Sequence, residues 1–302
     1  MGYKSGYVSL VGKANAGKST LINALIGEKV AIVSPKPQTT RNNIMGILTK
    51  EYTQLVFVDT PGIHTSKNAL DKYMMKNVRS AIGGSDIVVY LIDGSKKLTD
   101  DELDYVKHLT EKDNPVIVAV TKIDVTKYEK VYPMLARLSE IKGIKEIIPL
   151  SSLKKRNLDV LENAILKLLP ESEQKNFLFA EDEYTDKSLR FLVAEIVREK
   201  ALYLYDEEIP HGIAIEVVRF EETDKLAQID IDITCERDTH KSILIGKHGY
   251  KLKELGQQSR SDMENLLNKK VMLKLFVKTK KNWRDRPNEI SNVGYNVDDL
   301  WY

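Results

Sequence analysis

Short apolar runs recur along the first half of the chain, each followed by a polar loop and then by apolar residues spaced three or four apart. Continuous apolar runs read as buried strands, and the wider spacing reads as one face of a helix. Tyr7–Val11, Ile44–Thr49, Leu55–Asp59, Ile87–Asp93, Val116–Lys122 and Glu146–Ser151 are the expected strands. Thr20–Ile26, Asp71–Ile82, Asp100–Lys112, Lys130–Ile141 and Leu158–Leu169 are the expected helices. Strands that are apolar throughout belong to a mostly parallel sheet covered on both faces. The second and third lie too close in sequence for a crossover, so they form a hairpin and leave the sheet one antiparallel edge. The expected architecture is α/β, a doubly wound sheet.

The pattern changes after Pro170. Glu171–Lys187 is acidic and polar, has no apolar period, and reads as a linker. Ser188–Tyr205 then reads as an amphipathic helix, with Phe191, Ile196 and Leu202 among its apolar positions. Strands follow at Gly212–Arg219 and Gln228–Glu236; in the second, Ile229, Ile231 and Ile233 alternate with Asp230, Asp232 and Thr234, as in a half-buried strand. Helix Asp238–Ile245, a turn at Gly246–Gly249, helix Tyr250–Leu267 and strand Val271–Lys278 complete an αββααβ order. The expected organisation is a first domain over 1–170, a linker over 171–187, and an α+β domain with a C-terminal tail over 188–302.

Between the first strand and the first helix lies Gly12-Lys13-Ala14-Asn15-Ala16-Gly17-Lys18-Ser19, which fits G-x-x-x-x-G-K-[ST] in the strand–loop–helix setting that gives it mechanical meaning. Glycines let the backbone wrap a phosphate chain, and the loop N–H groups with the helix N-terminus favour negative charge. Lys18 adds a compact cation and the Ser19 hydroxyl a magnesium ligand, while Ala16 and Thr20 lie within and just behind the loop. A doubly wound sheet binds its ligand at the carboxyl ends of its strands, where the remaining motifs also fall. Asp59-Thr60-Pro61-Gly62 ends the third strand, which places Asp59 to hold Mg²⁺ through water and the Gly62 N–H to sense a γ-phosphate. Ser34–Arg41 is a polar, proline-bearing loop; Thr40, or failing it Thr39, would complete the Mg²⁺ shell only when the γ-phosphate is present, which makes the loop a switch.

Thr121-Lys122-Ile123-Asp124 ends the fifth strand. Guanine offers a carboxylate the paired N1–H and 2-amino donors that adenine lacks, so Asp124 selects GTP. Lys122 can lay its stem along the base, and Ser151-Ser152-Leu153 can offer a backbone N–H to the guanine O6. On these motifs the first 170 residues resemble the Ras-like G domain of the Era family of GTPases. The chain departs from that family's usual residues at Thr121 for asparagine, Ser152 for alanine and Ala14 for proline. The asparagine amide bridges to the P-loop, so its loss bears on nucleotide affinity more than on base choice. Ile63 follows Gly62 where Ras-like enzymes carry a water-orienting glutamine, and an isoleucine cannot polarise water, which implies slow intrinsic hydrolysis. The resemblance also makes Asn15 a candidate ligand for K⁺.

Gly246-Lys247-His248-Gly249 is a G-x-x-G turn between two helices. Charge gives it meaning: Ser188–Asp238 carries 6 basic and 13 acidic residues, whereas Thr239–Arg286 carries 13 basic and 4 acidic. Lys241, Lys247, Lys251 and Lys253 flank the turn, and Ile243, Ile245 and Leu252 could line an apolar groove beside it. Such a turn clamps a single-stranded backbone in KH modules. This segment resembles a type II KH domain, and a GTPase joined to one is the Era arrangement. The resemblance implies RNA binding at Lys241, Ile245, Gly246, Lys247, His248, Gly249, Lys251 and Lys253. It further implies that the RNA is the 3′ end of small-subunit ribosomal RNA, that the role is small-subunit assembly or maturation, and that the protein can associate peripherally with membrane. A monomer is expected.

Composition narrows the rest. With 42% hydrophobic and 30% charged residues the chain is globular, and its net charge of +2 means that any nucleic-acid surface must be local. Cys235 is the only cysteine, which excludes an internal disulfide framework and fits a reducing compartment. No apolar run approaches the roughly 18 residues of a membrane span and no signal peptide is expected, so cytoplasm is the default. His64, His108, His211, His240 and His248 are dispersed, which argues against zinc. Trp283 and Trp301 read as packing anchors, and Asp298-Asp299 as a solvated terminus. The expected reaction is attack of water on the γ-phosphate of GTP, with Lys18, Thr40 and Gly62 acting at that phosphate and no side-chain general base. A non-catalytic RNA-binding scaffold with a structural nucleotide pocket, and an ATP-driven remodeler, remain the alternatives.

Overall fold

The computed structural model describes residues 2–293 and 295. The chain divides into two compact units, Met1–His64 with Met75–Asp186 and Thr65–Met74 with Lys187–Tyr302.

The first unit is built on six strands: β1 (Lys4–Gly12), β2 (Ile44–Lys50), β3 (Thr53–Asp59), β4 (Ile87–Asp93), β5 (Val116–Thr121) and β6 (Ile144–Pro149). Their order is β2-β3-β1-β4-β5-β6. All neighbours run parallel except β2 and β3, whose hairpin gives the expected antiparallel edge. Helices α1 (Lys18–Ile26), α2 (Ala69–Gly83, of which this unit holds the part from Met75 onward), α3 (Asp100–Thr110), α4 (Tyr128–Ser139) and α5 (Leu158–Leu168) alternate with them. β4 is buried at every position from Ile87 to Asp93, which is what its unbroken apolar run requires. The strand order proceeds to one side of β1 for β3 and to the other for β4, so the carboxyl end of β1 opens on the crevice where such folds place a ligand.

The segment read as a linker is laid along the sheet edge. Ser172 and Tyr3 exchange backbone hydrogen bonds of 2.7 and 2.8 Å, and the Ile47 N–H donates to the Tyr184 carbonyl at 2.9 Å. Gln54, fully buried, accepts from the Leu178 and Phe179 N–H groups at 2.6 and 2.9 Å and donates to the Phe179 carbonyl at 2.9 Å. Edge-strand N–H and C=O groups need partners or cover, and this segment supplies them with its backbone at Tyr184 and with the Asp186 carboxylate, which accepts from the Met45 N–H at 2.9 Å; none of this calls for an apolar period.

The second unit carries α6 (Leu189–Leu204), β7 (Ala214–Glu222), β8 (Leu226–Cys235), α7 (Asp238–Ile245), α8 (Tyr250–Leu267) and β9 (Lys270–Thr279). Its sheet runs β7-β8-β9, with β7 antiparallel and β9 parallel to the central strand. Ile229, Ile231 and Ile233 are all fully buried, as their alternation required, while Asp232 on the opposite face pairs with Lys278. Trp283 anchors as expected: it is fully buried and its indole N–H donates to the Gly212 carbonyl at 3.0 Å. A 3-10 turn at Trp283–Asp285 and a short helix α9 (Pro287–Asn292) follow, in a stretch too brief for periodicity to reveal. Trp301, Asp298 and Asp299 lie outside the described residues.

Candidate nucleotide and nucleic-acid sites

The loop Gly12–Ser19 joins β1 to α1 at the crevice and opens into a cavity of about 420 Å³. Asn15, Gly17, Lys18, Ser19 and Thr20 line one side, Ser34, Pro35, Gln38, Thr39, Thr40 and Gly62 another, and Asp93, Ser95, Lys96 and Lys122 a third. Lys18 is buried, with its ammonium donating to the Gly12 and Lys13 carbonyls at 3.3 and 3.4 Å. Loss of hydration lowers its pKa, against the attraction of Asp59; the same loss raises that of Asp59, against Lys18 and the hydroxyl donors.

Three oxygens meet beside Lys18. The Ser19 hydroxyl donates to Asp59 Oδ2 at 2.6 Å, that of Thr40 donates to the same oxygen at 3.1 Å, and the two hydroxyls lie 2.9 Å apart. Thus Thr40, rather than Thr39, is drawn to the carboxylate; the Thr39 hydroxyl donates to the Lys36 carbonyl at 2.7 Å. Asp59 Oδ1 is buried without a hydrogen-bond partner. A cluster of hard oxygens with one orphaned carboxylate oxygen fits Mg²⁺, which takes oxygen ligands and holds them octahedrally.

Gly62 lies against the P-loop. A Cβ there would stand 2.8 Å from the backbone N and Cα of Ala14, so no larger residue fits without displacing the loop. The next residue, Ile63, donates its N–H to the Gly12 carbonyl at 3.0 Å and packs its side chain on the apolar layer that includes Val11 and Tyr90.

A second cavity, of about 90 Å³, is lined by Gly17, Thr20, Thr121, Lys122, Asp124, Val125, Ser152 and Leu153. Ser151 positions Asp124 by donating to its Oδ1 at 2.6 Å. The structure corrects the expectation that Thr121 forfeits the bridge to the P-loop. Its buried hydroxyl reaches the Ala16 carbonyl at 2.8 Å and the Ile92 carbonyl at 3.1 Å. Lys122 stands at φ 60°, uncommon for a non-glycine residue, and its ammonium donates to the Asn15 carbonyl and to Asp93 Oδ2, both at 2.7 Å. Burial disfavours the Asp93 charge, but hydrogen bonds from Lys122 and Ser95 prevail and hold its pKa below the usual 3.8. Asp93, Ser95 and Lys96 escaped the sequence reading, although a carboxylate at the end of β4 was a signal of the same kind as Asp59. Asn15 donates its amide to the Pro35 carbonyl at 2.6 Å.

In the second unit Gly246 ends α7 at φ 71° and Gly249 starts α8 at φ 77°, with Lys247 and His248 exposed between them. A cavity of about 460 Å³ runs on from Gly249 along Leu252, Lys253, Gly256, Gln257 and Arg260 of α8 and Leu273 and Leu275 of β9. Of the three apolar residues expected in this groove, Leu252 lines it, whereas Ile243 is exposed and Ile245 half-buried outside it. Lys253 joins the lining; Lys251 instead lies over the Tyr205 ring, 5.4 Å from its centroid, and Lys241 is half-buried on α7. The alternation of Leu273 and Leu275 with Lys274 and Phe276 was the signal for the β9 wall.

Comparison with known proteins matches both units. Residues 7–122 fit a family described as 50S ribosome-binding GTPase, and residues 208–284 fit the KH domain. The GTPase Era of Clostridium botulinum (strain Hall) is 46% identical over 294 residues, covering 97% of this chain and 98% of its own. That of a Thermoanaerobacter species is 41% identical over 304 residues, the whole of both chains. A solved structure of Era in complex with MgGDPNP and nucleotides 1506–1542 of 16S ribosomal RNA superposes with a TM-score of 0.92 at 38% identity, covering 97% of this chain and 99% of that one. Aquifex aeolicus Era bound to GDP and AlF4⁻ gives 0.91 at 38% identity over the same shares. With a P-loop fold, a G-x-x-G unit and identity of this level over nearly its whole length, the chain belongs to the Era family of GTPases.

Proposed function

We propose that the chain is a GTP-hydrolysing switch that binds the 3′ end of small-subunit ribosomal RNA through its KH unit and assists assembly or maturation of that subunit. The convergence of Ser19, Thr40 and Asp59 beside Lys18 carries the reading. It ties a switch loop to a phosphate site, and the family relative holding MgGDPNP and 16S rRNA supplies the ligands.

In this reading the P-loop amides and Lys18 hold the β- and γ-phosphates, Thr20 lies beside them, and the Gly62 N–H faces the γ-phosphate. Ser19 and Thr40 hold Mg²⁺ directly and Asp59 through water; the bound ion neutralises charge on the phosphate oxygens. Asp124, steadied by Ser151, reads the guanine N1–H and 2-amino group, and the Ser152-Leu153 backbone reads O6. Thr121 and Lys122 fasten this base site to the P-loop at Ala16 and Asn15. No side chain acts as general base, and Ile63 is spent on packing, so unassisted turnover is slow. Hydrolysis releases Thr40 from the phosphate side and with it the loop Ser34–Arg41. Asn15 is the K⁺ ligand. The G-K-H-G turn clamps the RNA backbone, with Lys241, Lys247, Lys251 and Lys253 as its positive surround and the groove beyond Gly249 taking bases. The protein works as a monomer in the cytoplasm with peripheral membrane contact. Among the described residues no helix is long and apolar enough to cross a bilayer.

Phosphate release from GTP, measured with and without a 3′-terminal ribosomal RNA fragment and in Na⁺ or K⁺, tests this function. Slow turnover that RNA and K⁺ alter is expected. No turnover under any condition would favour the non-catalytic scaffold, and displacement of GTP by excess ATP would defeat the role of Asp124.

A further inference from the structure

Tyr128 and Tyr132, one turn apart at the start of α4, are 70% and 60% exposed. Their rings lie 6.0 Å apart between centroids, inclined by 37°, and form a two-ring ledge on the helix surface. Neither ring belongs to the nucleotide cavities described above. Large aromatics so exposed, set side by side on a helix whose buried face is supplied by Val131, Met134 and Leu138, are not needed by the fold.

The charge around the ledge has one sign. Lys127, at the cap of α4, and Lys130, in its first turn, flank Tyr128, and Lys154, Lys155 and Arg156 follow Leu153. Val125 and Leu153 line one cavity, which brings the two stretches side by side. All five cations are exposed, and none forms an ion pair among the described residues. Glu129 is the single acidic residue within 125–132 and 153–156, in a chain whose net charge is only +2. Aromatic rings framed by unpaired Lys and Arg are the combination by which proteins take single-stranded nucleic acid: rings stack on bases, and cations follow the phosphates. An acidic protein segment would use the cations but leaves two adjacent exposed rings without a role.

We infer that the first unit carries its own RNA contact, with Tyr128 and Tyr132 stacking unpaired bases and Lys127, Lys130, Lys154, Lys155 and Arg156 following the backbone. This rests on the reading that the chain binds ribosomal RNA through its KH unit. Two contacts on one RNA raise affinity through effective concentration.

The experiment uses the full chain with a transcript of small-subunit ribosomal RNA. Ultraviolet crosslinking with peptide mapping is expected to label 127–132 as well as the G-x-x-G unit. Tyr128→Ala with Tyr132→Ala should weaken RNA binding by about 5-fold or more, as loss of one stacked base would, while Tyr128→Phe with Tyr132→Phe keeps it. Lys127→Gln with Lys130→Gln should lower the slope of log affinity against log salt by about 1.4, two single-strand phosphate contacts. Thermal midpoints and RNA-free GTP turnover of the exposed-site variants should match the parent's. Parental affinity and salt slope in these variants, with Gly246→Asp still abolishing binding, would overturn the ledge and spare the KH reading. A wild-type chain that binds no RNA would overturn both.

Discussion

Thr121→Val removes one hydroxyl and keeps the shape of the side chain. In the folded protein Thr121 is 1% exposed, and its hydroxyl points at the Ala16 carbonyl at 2.8 Å and the Ile92 carbonyl at 3.1 Å. It has one proton to give, so one hydrogen bond's worth is at stake. A buried acceptor left unpaired costs about 1–3 kcal/mol. Ala16 lies inside the P-loop, and the bond holds the loop in place before phosphate arrives. Without it, ordering the loop becomes part of the cost of binding. We expect the Kd for GDP to rise by about tenfold, near 1.4 kcal/mol, mostly through faster dissociation. Release of a fluorescent GDP analogue measures this directly. Thr121→Ser retains the donor and should stay within about threefold of the parent, well under 1 kcal/mol. Unchanged release from the valine variant, or equal loss in the serine variant, would refute a hydroxyl bridge between base strand and P-loop.

Other expectations follow from single contacts. Gly62→Ala puts a Cβ 2.8 Å from the Ala14 backbone, so GTP hydrolysis should fall at least about tenfold, 1.4 kcal/mol on the barrier, with GDP affinity held; phosphate-release assays decide it. Gly246→Asp forces a residue with φ 71° and a Cβ 3.0 Å from that of Lys251, and should abolish RNA retention in gel shift while GTP binding persists. The Asp93 carboxylate has a lowered pKa, so its stabilisation is present above the usual 3.8 and fades as pH falls through the lower folded value. Asp93→Asn should therefore lower the melting temperature at neutral pH, and the gap should narrow in acid; a gap constant with pH would contradict the assignment.

Much of the candidate nucleotide site was legible because its residues are fixed by strand ends. Once Leu55–Asp59 and Val116–Thr121 are recognised as buried parallel strands, Asp59 and Asp124 can emerge only at the crevice. Thr40 was legible through its place in a proline-bearing loop between two such motifs. Contacts made by backbone were not legible. The strap over 171–186 is held by main-chain bonds and by Gln54, a buried polar residue that an apolar pattern cannot announce. The bridge from Thr121 was hidden for a related reason: whether its short side chain reaches the Ala16 carbonyl depends on how closely the P-loop packs on β5, and approach is a property of packing. Likewise charge alone gave no sign of the contact Lys251 makes, because its ammonium lies over the ring of Tyr205, a residue distant in sequence.

The central claim is that the nucleotide held at Gly12–Ser19 governs the grip on RNA. The direct measurement is the affinity of the full chain for a 3′-terminal small-subunit ribosomal RNA fragment, taken once with a non-hydrolysable GTP analogue and once with GDP, at one fixed salt concentration. A coupled switch predicts affinities that differ by about fivefold or more, the scale of an allosteric coupling energy. Equal affinity in the two states would contradict it, even if GTP and RNA each bound well.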